Sequence, residues 1–127
     1  MKKWMGISIA VLIILVGGGG IYWQTRAPAP LDQFAACLKE KGAVMYGTSW
    51  CPHCARQKQL FGRSFRKAAY VECSMPGNPN AQTPICKERG ITGYPTWIFA
   101  DASRASGVQE LATLAEKTGC VLPENKK

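Results

Sequence analysis

The stretch Met45–Phe61, MYGTSWCPHCARQKQLF, decides how this chain is read. A short apolar run ends in Gly47-Thr48-Ser49-Trp50, and two cysteines then flank Pro52 and His53. A helix-like pattern follows, with Leu60, Phe61 and Phe65 supplying its apolar face. Pro52 fits the first helical turn, where its missing N–H would lack a partner in any case. The reading is strand, turn, helix, with Cys51 at the helix start and Cys54 one turn further in. Unpaired backbone N–H groups and the helix dipole at that end favour an anion. Cys51 is therefore the expected thiolate nucleophile, and Cys54 the buried resolving thiol. His53 adds a donor and partial positive charge beside Cys51. Stabilising that thiolate stabilises the reduced form, which makes the disulfide a stronger oxidant.

Two other readings of the pair compete. A zinc half-site needs further ligands at matching spacing. There is no second C-x-x-C and His53 is the single histidine, although Cys73 and Cys86 would complete a four-cysteine set. The pair is otherwise a structural loop disulfide. No glycine-rich phosphate loop is visible, and neither a cofactor nor a metal is expected.

The compartment bears on the choice, because six cysteines in 127 residues suggest disulfides if the chain is exported and metal or catalysis if it is cytosolic. Lys2 and Lys3 open the sequence, and no charge follows from Trp4 to Gln24. That is the length of one membrane-spanning helix, with Trp4 and Tyr22-Trp23 at the two interfaces. The lysines place the N-terminus in the cytoplasm and the remainder outside. A cleaved signal peptide is the alternative, for which TRAPAP, with its prolines, is a poor cleavage site. Gly17 to Gly20 lower helicity within the span. The expected organisation is a membrane anchor over 1–26, a stiff Ala-Pro spacer over 27–30, one domain over 31–122 and a flexible tail over 123–127. The net charge of +8 is scattered, and without a basic stripe it gives no support to nucleic-acid binding.

Leu31, Phe34, Ala35 and Leu38 recur at helical spacing until Gly42 stops the pattern. AVMYG and AAYVEC read as strands, and SMPGNPN as turn chemistry. A short helix is capped by Thr83, contains Pro84 and ends at Gly90. ITGYPTWIFA is a loop entering a third strand, DASRASG a turn with a short edge strand, and VQELATLAEKTG a final amphipathic helix. Alternation of this kind predicts an α/β domain with a central sheet and helices on both faces.

WCPHC after a short strand, followed by GITGYPTWIF, resembles the thioredoxin superfamily. More narrowly, FAACLKEKGAVMYGTSWCPHCARQKQLFGRSF, YVECS, ICKERGITGYPTWIF and GVQELATLAEKTG are similar to the thioredoxin-like domain fused to, or paired with, bacterial vitamin K epoxide reductase homologues. The resemblance implies a thioredoxin-like fold with a central mixed sheet, behind one N-terminal transmembrane helix. It implies an active Cys51–Cys54 disulfide and a cis-proline at Pro95 facing it, with Tyr94 and Thr96 shaping a groove for an extended substrate. Trp50 would flank that groove or serve as a core aromatic. Cys73 and Cys86 would form a structural disulfide. Cys37 and Cys120, on the first helix and just past the last, are either a third bridge or two free thiols. Thioredoxins proper carry a buried Asp where this chain has Met45, which counts against efficient reducing chemistry.

The expected function is oxidation of reduced exported proteins by a membrane-tethered thiol–disulfide oxidoreductase. An integral-membrane vitamin K epoxide reductase homologue or DsbB-like quinone reductase would reoxidise it. The location would be the inner or thylakoid membrane, single-pass, with the domain in the periplasm or lumen. An exported reductase or isomerase is the rival within enzymes, and a non-catalytic stapled or metal-binding module the rival outside them.

Overall fold

Strand β1 (Val44–Gly47) sits at the middle of the molecule and shows why its sequence carries no polar side chain facing the core. Alternation sends Met45 to one side of the sheet and Val44 and Tyr46 to the other. Each side meets its own apolar cluster. The structure is a computed structural model and describes residues 28–126. The expected anchor, 1–26, lies outside the described residues, as do Ala27 and Lys127. Among the described residues no helix is long and apolar enough to cross a membrane.

The elements run α1 (Asp32–Glu40), β1, α2 (Pro52–Phe61), a 3-10 turn (Gly62–Lys67), β2 (Ala69–Glu72), β3 (Ser74–Met75), β4 (Asn78–Gln82), α3 (Pro84–Glu88), β5 (Thr96–Ile98), β6 (Arg104–Ser106) and α4 (Leu111–Thr118). A 3-10 turn over Glu124–Lys126 closes the described chain. The main sheet has the order β2-β1-β5-β6. β1 and β2 are parallel, joined by the crossover helix α2, while β5 and β6 are antiparallel additions, giving a mixed sheet.

The larger core draws Phe34, Ala35 and Leu38 from α1, Cys54 and Phe61 from α2, and Leu111 and Leu114 from α4 against Met45 and Trp97. Phe61 lies between Phe34 and Trp97, with ring centroids 6.0 and 6.2 Å away. Burying each such side chain stabilises the fold by roughly 1.5–3 kcal/mol. The smaller core, on the other face, is Tyr46, Cys73, Cys86 and Ile91, covered by α3. Gln57 is completely buried on α2 and fully used: it accepts from the Trp97 indole and the Gln109 amide and donates to the Gln109 carbonyl. A buried amide left unpaired would cost roughly 1–3 kcal/mol, so these bonds fix where α2 lies.

The structure departs from the sequence reading in a few places. The segment read as a turn, SMPGNPN, belongs to a β3–β4 hairpin separate from the main sheet. Its lack of alternating apolar residues hid it. Pro79 fits there because a two-stranded ribbon leaves one edge of each strand unpaired. The last helix starts at Leu111 rather than near Val108, because Gln109 is occupied holding Gln57 and Glu110 is extended at the cap. The spacer is not free of the domain at its end: Ala29 is buried, donates to Asp32 and accepts from the Asp32 amide. Gly42 adopts φ +76° as α1 ends, and a Cβ there would sit 3.1 Å from that of Ala100.

Two disulfides staple the domain. Cys73–Cys86 joins the end of β2 to α3, and Cys37–Cys120 joins α1 to the end of α4 across 83 residues of sequence. Closing so long a loop removes unfolded-state entropy. The Cys37→Ala/Cys120→Ala double variant is therefore expected to lose about 4 kcal/mol of stability in chemical denaturation. A loss below about 1 kcal/mol would show that the bridge does not act through loop closure.

Candidate active site

The backbone places Cys51 where β1 has ended and α2 is about to begin. Cys51 is the N-cap of α2, with extended φ −77° and ψ 123°, and Pro52 takes the first helical position. Its carbonyl accepts the first helical bond, from the Ala55 amide at 3.1 Å. Cys51 is 7 % exposed and Cys54 1 % exposed, and neither is bridged. His53 and Pro52 are exposed on the first turn.

The loop before β5 faces this pair. The Tyr94–Pro95 peptide is cis, and the Tyr94 carbonyl accepts from the Cys51 thiol at 3.7 Å. Pro95 and Thr96 are buried, and the Thr96 hydroxyl donates to the Gly93 carbonyl at 2.7 Å. Trp50 is 53 % exposed, which rules out the core-aromatic reading. Its indole N–H donates to the Pro79 carbonyl on the hairpin, and its ring stands edge-on to Tyr94 at 6.2 Å. The Tyr94 hydroxyl in turn accepts from Gln82, which also donates to the Ile91 carbonyl. The sequence-predicted residues Trp50, Cys51, Cys54, Tyr94 and Pro95 thus meet at one place. Cys37–Cys120 and Cys73–Cys86 are bonded as pairs, which removes Cys73 and Cys86 from any four-cysteine metal set. Among the described residues no group of three or more His, Cys, Asp or Glu is placed to hold a metal.

Beneath the pair lies a set of residues that the sequence reading missed. A Cβ on Gly47 would lie 2.7 Å from Cys54 Sγ and 3.3 Å from the Tyr70 ring, so only glycine allows Cys54 to approach the strand. The Tyr70 hydroxyl donates to Glu72 Oε2 at 2.7 Å. Glu72 Oε1 accepts from the Ser49 amide at 3.1 Å, the Ser74 amide at 3.0 Å and the Ser74 hydroxyl. Burial opposes ionisation of Glu72, but these bonds outweigh it and hold the carboxyl below the usual range. Through Ser49, this one carboxylate ties the end of β2 to the turn that delivers Cys51. The available signal was a lone acid inside the apolar run AAYVEC. Lys58, one turn beyond Cys54, places its ammonium 4.0 Å from the Tyr70 ring centroid.

Burial pushes the Cys54 thiol up to about 11, with the neighbouring Cys51 adding to the rise; the Thr48 amide and Lys58 act in the opposite sense. At neutral pH Cys54 is a protonated thiol whose thiolate forms at a cost.

Two outcomes follow from this packing. Gly47→Ala forces Cys54 or the strand to shift, and is expected to cost roughly 1–3 kcal/mol in thermal unfolding and to slow thiol exchange; an unchanged exchange rate would refute the tight contact. Because the fold holds Cys54 protonated, the reduced chain keeps that contribution below pH 9.0 and loses it as pH rises through about 11. Alkaline unfolding of Cys54→Ala should lack this component.

No protein-family model matches the chain. It is 39% identical over 110 residues to the thiol-disulfide oxidoreductase LTO1 of Arabidopsis thaliana, a match covering 81% of this chain and 29% of that protein. The chain thus spans under a third of that relative's length. It is 32% identical over 76 residues to a glutaredoxin of Pseudomonas aeruginosa, covering 60% of this chain and 86% of that protein. A mixed sheet with helices, a dithiol at a helix start and a relative matched over most of its own length converge on one assignment: the chain belongs to the thioredoxin-like superfamily of thiol–disulfide oxidoreductases.

Proposed function

We propose that this chain introduces disulfides into reduced exported proteins, acting from a membrane to which its N-terminal segment tethers it. The observation that carries the proposal is the Cys51–Cys54 pair at the start of α2, with Cys51 under the Tyr94 carbonyl of the cis-proline loop and Met45 rather than a carboxylate in the strand below. A substrate thiolate attacks Cys51 Sγ of the oxidised pair. The Cys51–Cys54 bond breaks, its electron pair leaves on Cys54, and a substrate–Cys51 mixed disulfide forms. A second substrate thiolate attacks the substrate sulfur of that bond, and the electron pair leaves on Cys51. Two electrons and two protons have passed to the chain, which ends as a dithiol, and the substrate carries the new disulfide.

An integral-membrane quinone reductase of the vitamin K epoxide reductase or DsbB type would then take the same two electrons to quinone. The uncharged run from Trp4 to Gln24 behind Lys2 and Lys3 supports a single-pass tether with the domain in the periplasm or thylakoid lumen. Two stapling disulfides suit an oxidising compartment. Sharing a membrane raises the partners' effective concentration without new contacts. The name of the plant relative fits disulfide chemistry of this kind. The glutaredoxin relative favours the opposite direction, an exported reductase or isomerase.

The deciding measurement is the redox state of Cys51 and Cys54 in cells that are acid-quenched and alkylated before mass spectrometry. A disulfide at steady state is expected; a dithiol would reverse the direction of electron flow. In assays of thiol oxidation and insulin reduction, Cys51→Ala is expected to fall to the uncatalysed rate. Full activity in that variant would remove the catalytic reading altogether.

A further inference from the structure

We propose that Lys58 is the charge that receives Cys54 when it leaves as a thiolate, and that Tyr70 and Glu72 hold Lys58 in position. The inference rests on the exchange reaction proposed above and adds to it a residue for which the C-x-x-C pattern gives no sign.

The step that needs help is the first one. When the substrate thiolate attacks Cys51, the electron pair of the broken bond goes to Cys54, which is buried against Gly47 of β1 beside Tyr70 of β2. Met45 and Gly47 are the β1 residues nearest this step, and neither titrates. The titratable groups around the pair are Cys51, His53 and Lys58 from α2, Tyr70 and Glu72 from β2, and Tyr94 from the cis-proline loop; His53 is exposed on the first turn, on the Cys51 side. Lys58 is the permanent cation among them. It lies four residues after Cys54, the spacing that puts two side chains on one helix face. Tyr70 shares the Gly47 contact with Cys54, 3.3 and 2.7 Å from the same point, and Lys58 lies over that same Tyr70 ring at 4.0 Å. Sulfur, ring and ammonium therefore follow one another in space, the ring between the other two.

The placement of Lys58 is held from the other side as well. Tyr70 donates a hydrogen bond to an ionised Glu72, which enriches the ring and strengthens its hold on a cation. Glu72 is itself fixed by Ser49 and Ser74. Among the described residues no carboxylate is paired with Lys58, whereas Arg66 is paired with Asp32 and Lys117 with Asp101. Its charge thus rests over the Tyr70 ring at 4.0 Å and the Phe65 ring at 5.5 Å, acting on Cys54 through space, rather than being spent on an acid. Leaving-group thiols depart faster when their thiolate is stabilised. Lys58 is a positioning and electrostatic residue for that departure; the proton Cys54 takes up afterwards comes from water.

The test uses the full chain in detergent, oxidised at Cys51–Cys54, with dithiothreitol as the attacking thiol and tryptophan fluorescence as the signal. The reduced protein is titrated in parallel by ultraviolet thiolate absorbance in a Cys51→Ala background. Lys58→Met keeps the stem and removes the charge; it is expected to slow reduction about tenfold, and to move the Cys54 titration to higher pH. Lys58→Arg is expected to stay within about twofold of the parent rate, since it restores the charge. Equal rates for Lys58→Met and the parent would overturn the proposal, as would equal slowing by Lys58→Met and Lys58→Arg, which would mean packing alone. If Lys58→Met does not fold by circular dichroism, Tyr70→Phe replaces it: the ring stays, the Glu72 bond goes, and a smaller slowing is expected, with no change overturning the proposal. A parent chain that does not exchange at all would overturn the dithiol reading and this inference together, whereas a competent parent with an indifferent Lys58 overturns only the latter.

Discussion

The close approach of Cys54 to the backbone at Gly47 is the constraint on which the rest of the molecule depends. A sulfur held that near a strand cannot be reached from the side of the sheet, so chemistry has to enter through Cys51. It also requires that α2 start at one height above β1, which the Gln57 bonds to Trp97 and Gln109 then maintain from the middle of the helix. A small domain of this size has little core to spare, and much of what it has is assembled around that single helix. Phe61 at the end of α2 belongs to the same cluster as Cys54 at its start. Packing that stabilises the fold and packing that positions the thiol are here the same packing.

Polar contacts extend this arrangement to the surface. Glu72 links the end of β2 to the turn before Cys51, and the β3–β4 hairpin holds Trp50 through Pro79 and Tyr94 through Gln82. The hairpin is in turn closed at its base by the Cys73–Cys86 bridge and by the Thr83 amide donating to the Cys73 carbonyl. Trp50 and Tyr94, the aromatic residues beside Cys51, are thus each fixed by a hydrogen bond from an element outside the main sheet. Their placement depends on a ribbon that contributes nothing to the larger core.

Much of this was legible in the residues, and the boundary of legibility has a physical cause. Short apolar runs marked β1 and β2, the first because both its sides are covered, and 3.6-residue spacing marked the longer helices because each buries one face. The cysteine pair announced itself by local chemistry at a strand–helix junction. What stayed hidden was whatever depends on contacts distant in sequence: the hairpin, whose residues bury little, and the Gly47–Tyr70–Lys58 surface, built from three elements. Glu72 stood out as a charge in an apolar run, yet nothing local said that four donors would converge on it. The start of α4 was misplaced for the same reason, since Gln109 answers to a residue 52 positions away.

The Cys37–Cys120 bridge has one further consequence, mechanical in kind. It joins the first helix to the last, so a load applied at the two ends of the domain passes from one end to the other through a covalent link. The sheet, the smaller core and the dithiol lie between the two cysteines and carry none of the tension. The load falls instead on the core residues outside the link, Leu31, Phe34 and Ala35 ahead of Cys37 and Leu122 after Cys120. A domain dragged by its ends, as one tethered beside a moving or folding partner would be, keeps its reactive pair at rest.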